Sequence, residues 1–351
     1  MKHIPALDGV RAIAILLVLG FHGYVPLMQG GQIGVDVFFV LSGYLICSLL
    51  LNELKATGSI SFVRFYIRRA LRLYPALLLT LVLVLGYDYF FAKAGYLREV
   101  IFSGLYLMDY AMAFDYVRTF TPLSHTWSLA VEEQFYLVWP PVLLWLWKRY
   151  PAEKIVKIVA GATAVSMVWF LVNAWYVEDW LNVYLRFDTR LTGLLLGCLL
   201  ASCRFQKVRV PCVDEGLMVF TGLLGLWVVA APHKAAYAPI SAIQILLANF
   251  FAFFLIAKIT DDKSWKMAEK IGSAIPAFIG KISYGVYLFH VPVQAIAVFL
   301  LLKSGEGHDW KISAIMFAGS FVLATFSYYT VEALARRVGK KYKNHYGDSA
   351  A

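Results

Sequence analysis

Ten apolar segments, at approximately 10–27, 33–51, 72–92, 127–147, 155–177, 188–202, 216–231, 239–257, 282–302 and 312–332, take up most of this 351-residue chain. Most approach the ~20 residues an α-helix needs to cross a hydrocarbon core; 188–202 and 216–231 need flanking residues to do so. Charged residues make up 15% of the chain, against about 25% in soluble domains. The expected fold is all-α: a polytopic integral membrane bundle of about ten transmembrane helices. A further stretch, 100–114, is apolar but holds Asp109. It reads as re-entrant or interfacial, with an eleventh span as the alternative.

The basic residues test that count. With the N-terminus in the cytoplasm, 23 of the 32 Lys and Arg fall on the cytoplasmic side, among them Lys55, Arg64, Arg68, Arg69 and Arg72. Eight fall outside, and Arg11 lies within the first helix. This asymmetry follows the positive-inside rule and supports ten spans with both termini cytoplasmic. An eleventh full span after residue 100 would invert every later loop. The net charge of +10 is thus a topological signal and calls for no nucleic-acid partner. Lys2 and the apolar run after it imitate a secretory leader, but no small-residue cleavage pattern follows. Cys47, Cys198, Cys203 and Cys212 show neither metal nor disulfide spacing, and no metal is expected. The chain divides into a transmembrane domain, 1–335, and a basic cytoplasmic tail, 336–351.

Ionisable residues inside such spans are costly and face a polar cavity or a partner. Arg11 and His22 stand eleven residues apart in the first apolar stretch. At ~100° per residue that is about three turns plus ~20°, so they share one helix face, roughly 16 Å apart along the axis. The plainer alternative is a snorkelling Arg11 and a His22 bonded to a neighbouring helix. Asp36 lies about one turn below the outer end of the second span, at the depth expected for His22. A carboxylate beside an imidazole fixes its tautomer and raises its basicity, as a general base requires. Asp36 as an interfacial residue and Ser42-Gly43 as a close-packing contact are the alternatives.

Three further groups of polar residues punctuate the spans. Arg68, Arg69 and Arg72 are spaced so that their guanidinium groups can converge on phosphate, though topology or anionic lipid would also explain them. In Ser124-His125-Thr126-Trp127-Ser128-Leu129-Ala130-Val131-Glu132-Glu133-Gln134-Phe135-Tyr136, two adjacent carboxylates cannot face one direction, and Glu132 shares a face with Tyr136. Arg186, Asp188 and Arg190 mark an outer boundary, and Gly193-x3-Gly197 reads as close packing. Ser283, Tyr284 and His290 add polarity to an otherwise apolar span, where a lone histidine is more often structural.

Five blocks in order give the chain a family resemblance along essentially its whole length. They are Leu7-Asp8-Gly9-Val10-Arg11 with His22, and Gly34-Val35-Asp36 through Ser42-Gly43-Tyr44. Then come Arg69-x-x-Arg72 with Pro75, Trp127-Ser128-Leu129 through Glu132-Glu133-Gln134-Phe135-Tyr136, and Ile282-Ser283-Tyr284-Gly285-Val286-Tyr287-Leu288 with His290. The chain resembles the acyltransferase 3 family of bacterial membrane O-acyltransferases, in the form that lacks an appended extracytoplasmic domain.

The resemblance implies acyl transfer, O-acetylation in the first instance, from cytoplasmic acyl-coenzyme A to a hydroxyl of a cell-envelope glycan or lipid-linked saccharide. Some relatives modify antibiotics or other small molecules instead. It implies a multi-pass protein of the bacterial inner membrane, in contact with lipid, with no tightly bound cofactor; a homo-oligomer is left open. Within it His22 acts as base or acyl carrier with Asp36, Arg11 and Glu132, while Arg68, Arg69, Arg72 and Ser42 bind the donor. Tyr136, Arg186, Asp188, Arg190, Tyr284 and His290 are acceptor or supporting residues. A transporter or flippase of a lipid-linked sugar would also use buried charges, but no inverted repeat is visible.

Overall fold

The computed structural model describes residues 3–208, 210, 214–230, 238–261, 265–301 and 310–339. Cys212, the expected tail beyond Gly339, and Lys2, Arg209, Lys234, Lys263 and Lys303 of the topological count lie outside the described residues. All regular structure among the described residues is helical. Long helices occupy the expected apolar segments: α1 (Pro5–His22), α2 (Gly34–Thr57), α3 (Phe62–Tyr87), α6 (Trp127–Arg149), α7 (Ala152–Tyr176), α9 (Phe187–Phe205), α10 (Glu215–Ala230), α11 (Ala238–Asp261), α13 (Ala274–Leu301) and α14 (Trp310–Tyr329). The 100–114 stretch is broken into α4 (Leu97–Gly104) and α5 (Met108–Ala113), and α8 (Trp180–Leu185) and α12 (Lys266–Ile271) are short connectors.

Seven helices (α1, α2, α3, α7, α11, α13 and α14) are long and apolar enough to cross a membrane among the described residues. The three remaining long helices differ in kind. Helix α10 has only 16 residues, while α6 and α9 carry charge within their length, at Glu132, Glu133 and at Asp188, Arg190. A last helix, α15 (Val331–Gly339), packs on α3 and α14. It contains Arg336 and Arg337, so the expected tail boundary at 335/336 falls inside a helix.

Small residues let the central helices approach. A side chain at Gly43 of α2 would strike the Leu194 carbonyl of α9, and one at Gly197 of α9 would strike the Val40 carbonyl of α2. The Gly193-x3-Gly197 pattern therefore serves close backbone contact, as small residues do between membrane helices. Helix α13 reaches α1 in the same way, with Gly280 against the Asp8 carbonyl.

Prolines inside the helices do a second job. Proline has no N–H, so the carbonyl four residues earlier loses its helical partner and must find another. Pro141 of α6 leaves Leu137 free, and the Tyr66 hydroxyl of α3 donates to it at 2.9 Å. These crossings gather α1, α2, α3, α6, α9 and α13 around one buried core with polar residues at both ends.

Candidate active site

One end of the core is a cluster of three histidines. His22 closes α1, and its Nδ1 lies 3.0 Å from the Val18 carbonyl. A carbonyl only accepts, so in the neutral ring Nδ1 carries the proton and Nε2 keeps its lone pair. His290 of α13 is in the same state, with Nδ1 2.5 Å from the Tyr287 carbonyl and a buried Nε2 that has no hydrogen-bond partner. His125 stands in the turn Ser124–Thr126 before α6 and has the opposite tautomer. Its Nε2 donates to the Leu288 carbonyl at 3.2 Å, and its buried Nδ1 has no partner.

The rings meet edge to face, His22 to His290 at 4.7 Å and His290 to His125 at 5.0 Å between centroids. Around them, the Tyr287 hydroxyl donates to the His125 carbonyl at 2.8 Å and lies 2.6 Å from Ser128 Oγ. Gln294 Nε2 donates to the His22 carbonyl at 2.7 Å. His125 and His290 are buried, whereas His22 is half-buried. Among the described residues no cluster of His, Cys, Asp or Glu is arranged to hold a metal ion. Among the same residues Cys47, Cys198 and Cys203 are free thiols.

The other end is built on arginine. Arg69 Nη2 donates to Glu133 at 2.6 Å, and its guanidinium lies 3.8 Å above the Tyr136 ring. Beside it, Ser42 Oγ donates to Glu132 at 2.8 Å. Arg72 lies within electrostatic range of Arg11 and Arg69, and of Tyr136 and Glu332, and makes no hydrogen bond to a described residue. Arg11 itself holds Asp8 at 3.0 Å, and Asp8 also meets His3 at 2.7 Å. Glu132 bridges the two ends, within electrostatic range of Arg11 and Arg69 on one side and of Tyr287 on the other.

Several expectations need correction. Asp36 does not hold His22. Its Oδ1 accepts from Arg190 Nη2 at 2.7 Å, and both side chains are only 1–2% exposed. Equal depth placed Asp36 near His22, but its helix face turns it toward α9. The Arg190 guanidinium sits among the rings of Phe39, Trp127, Phe170 and Tyr184, the nearest centroid at 4.7 Å. Buried in this way, Arg190 is not at an outer mouth with Arg186 and Asp188. Those two bond each other, Arg186 Nε to Asp188 at 2.9 Å, with Trp169 Nε1 also donating to Asp188 at 2.8 Å.

Arg11 belongs to the arginine end, at the opposite end of α1 from His22. Arg69 is committed to Glu133, and no hydrogen bond or ion pair among the described residues ties Arg68 to Arg69 or Arg72. Ser42 is bonded to Glu132, so Arg69 and Ser42 each already have a carboxylate partner, while Arg69 Nε has no hydrogen-bond partner among the described residues. Tyr284 donates to the Leu73 carbonyl at 3.0 Å and tethers α13 to α3. Outside the spans, Asp109 of α5 accepts from Gln134 at 2.9 Å, and burial raises its carboxyl to about 6. His125, which opens the polar cluster ahead of α6, is given no role by sequence reasoning; the signal for its partner is Pro292, which frees the Leu288 carbonyl.

A family model described as an acyltransferase domain matches residues 4–332. The chain is similar to the peptidoglycan O-acetyltransferase OatA of Listeria monocytogenes, 33% identical over 96% of this chain and 56% of that protein. It is also similar to the O-acetyltransferase OatA of Staphylococcus aureus, 31% identical over 97% of this chain and 58% of that protein. The chain thus spans less than two thirds of the length of these curated relatives. No solved structure matches it.

Proposed function

Because this chain belongs to the acyltransferase 3 family, we propose that it is a membrane O-acetyltransferase that moves an acetyl group from cytoplasmic acyl-coenzyme A to a hydroxyl of a cell-envelope glycan or lipid-linked saccharide. Its place is the cytoplasmic membrane of a bacterium. The observation that carries this reading is His22, half-buried, with its Nδ1 held by the Val18 carbonyl and its Nε2 lone pair left for a proton. The relatives support the acceptor class, since one is named for peptidoglycan.

The chemistry balances on this imidazole. His22 Nε2 takes the proton of the acceptor hydroxyl as its oxygen attacks the thioester carbonyl. The tetrahedral adduct collapses, the C–S bond breaks, and the departing thiolate recovers the proton from His22. The products are an O-acetyl ester and free coenzyme A. His290, edge to face with His22, and His125 behind it hold the ring in place and keep further lone pairs in reach of the imidazolium. The donor phosphates are taken by Arg72, which has neighbouring positive charge from Arg11 and Arg69 and no carboxylate bonded to it. The acyl arm then runs along α1, whose eleven-residue interval from Arg11 to His22 rises about 16 Å.

Purified protein in sealed vesicles, given labelled acetyl-coenzyme A and a soluble glycan acceptor, tests the proposal. Thioester consumption matched by ester on the glycan is expected. A folded protein that consumes no thioester overturns it.

A further inference from the structure

The chain between α3 and α6 forms an open cleft of about 770 Å³. Its lining includes Arg98, Glu99, Asp115, Tyr116, Arg118 and Phe120. None of these takes part in the chemistry derived above. We propose that this cleft is the acceptor subsite and holds an uncharged, polyhydroxylated saccharide with a sugar face against the aromatic rings.

The lining has the chemistry of sugar recognition. Two arginines and two carboxylates give the lining no net charge; Arg118 and Glu99 are paired with each other, which leaves Arg98 as a donor and Asp115 as an acceptor for sugar hydroxyls. A phosphate would meet the Asp115 carboxylate as well as Arg98, which argues against an anionic ligand. Phe120 is 95% exposed and Tyr116 65% exposed, so both rings are open to a ligand in the cleft. Rings of this kind suit the C–H face of a pyranose, with polar groups fixing its orientation.

The cleft is also built in advance. The Asp88 carboxylate accepts from the backbone N–H of Ala94, Gly95 and Tyr96 at 2.7–3.0 Å and so fixes the wall. Arg118 donates to the Ala94 carbonyl at 2.9 Å, lies 5.1 Å over the Tyr96 ring and reaches buried Glu99 at 3.4 Å. Asp115 has φ +56°, a left-handed conformation that Asp and Asn tolerate better than most side chains.

A rigid element joins the cleft to the histidines. Glu99 and Ser103 lie one turn apart on α4, about 6 Å along its axis. Ser103 Oγ is 2.8 Å from Thr126 Oγ1, and Thr126 follows His125 in the chain. A saccharide in the cleft is therefore held by the element that packs on the histidine end, as an acceptor of the reaction proposed above must be. This assignment rests on that reaction, but binding can be measured apart from it.

The test uses the full chain in lipid nanodiscs and an uncharged β-1,4-linked N-acetylglucosamine tetramer as probe. Phe120→Ala and Asp115→Asn are expected to weaken tetramer binding at least tenfold. Phe90→Ala, an exposed ring outside the cleft, leaves it unchanged. In turnover the loss appears in KM for saccharide. Two results overturn the cleft assignment: a wild type that binds no tetramer, or variants at Phe120 and Asp115 that behave like Phe90→Ala. Preference for glycerol phosphate over the tetramer does the same. Tetramer binding that is lost in the two variants, with no thioester consumption by the wild type, keeps the cleft and removes the acyltransferase reading.

Discussion

His125 donates its Nε2 proton to the Leu288 carbonyl at 3.2 Å, a carbonyl that an unbroken α13 would have kept for the residue at position 292. Pro292 has no N–H to offer, so the group is free for a ring from another segment. One proline thereby selects the tautomer of a histidine far away in sequence and leaves its Nδ1 lone pair turned into the cluster.

Pro292→Ala separates these effects. Alanine restores a backbone donor and removes a penalty of about 3 kcal/mol for proline inside a helix. The variant is expected to melt no lower than the wild type yet to lose turnover, because Leu288 is reclaimed by its own helix. Thermal melting in detergent and kcat check this; undiminished kcat would sever His125 from the chemistry.

His22→Ala should lower kcat by roughly 10²–10⁴-fold, the usual worth of a general base. Acyl-coenzyme A affinity should change little, since the proposed mechanism puts the donor phosphates at the arginine end. The measurement is single-turnover kinetics beside a donor-binding isotherm.

The two arginines of α3 should behave differently. Under the proposed mechanism Arg72→Ala loses a charge-assisted phosphate contact, worth about 1.5–3 kcal/mol or roughly ten- to a hundredfold in donor affinity. Arg69→Ala instead strips Glu133 of its partner and should show first as a lowered melting temperature. Calorimetry with coenzyme A and thermal melting distinguish them. Equal losses of affinity would mean that both guanidinium groups meet the donor.

Breaking the buried pair is expected to be costly. Arg190→Met removes the counter-ion of buried Asp36, at about 3–5 kcal/mol. Adding Asp36→Leu should restore much of that stability. Asp36→Asn should leave the shape of the pH–rate profile unaltered, because Asp36 is bonded to Arg190 and not to His22.

Asp109 gives a pH signature outside the spans. Burial raises its carboxyl to about 6, above the value of an unfolded chain. The native state therefore holds this proton more tightly, and the contribution is present at pH 4 and lost as pH rises through about 6. Asp109→Asn should raise the melting temperature relative to wild type above that pH and have little effect at pH 4. A difference independent of pH would contradict this.

The helices were legible because span length and hydropathy act locally, residue by residue. Even the break at 100–114 was signalled by Asp109. Partnerships were harder to read. Periodicity gives the face on which Asp36 or His22 lies, but the neighbour across that face depends on how distant helices assemble. Thus Asp36 was matched by depth to His22 although Arg190 is its partner. The pairing of His22 with His290 joins the first helix to α13 and leaves no local trace. Arg69 was read as a donor contact because convergence of arginines is visible in sequence, whereas the carboxylate that already occupies one of them is not.

The Asp36–Arg190 pair has a consequence for how the chain is made. Asp36 leaves the ribosome in the second helix and Arg190 only in the ninth, so the carboxylate enters the lipid well before its counter-ion exists. Helix α9 is among those too polar to qualify as spans by their own composition, and a lone arginine at its depth is expensive in hydrocarbon. Its stable insertion requires that α2 be already present and correctly turned. Assembly is thereby ordered: the late helix is admitted by the early one, and a chain with a misplaced second helix is left with an unstable ninth for quality control to recognise.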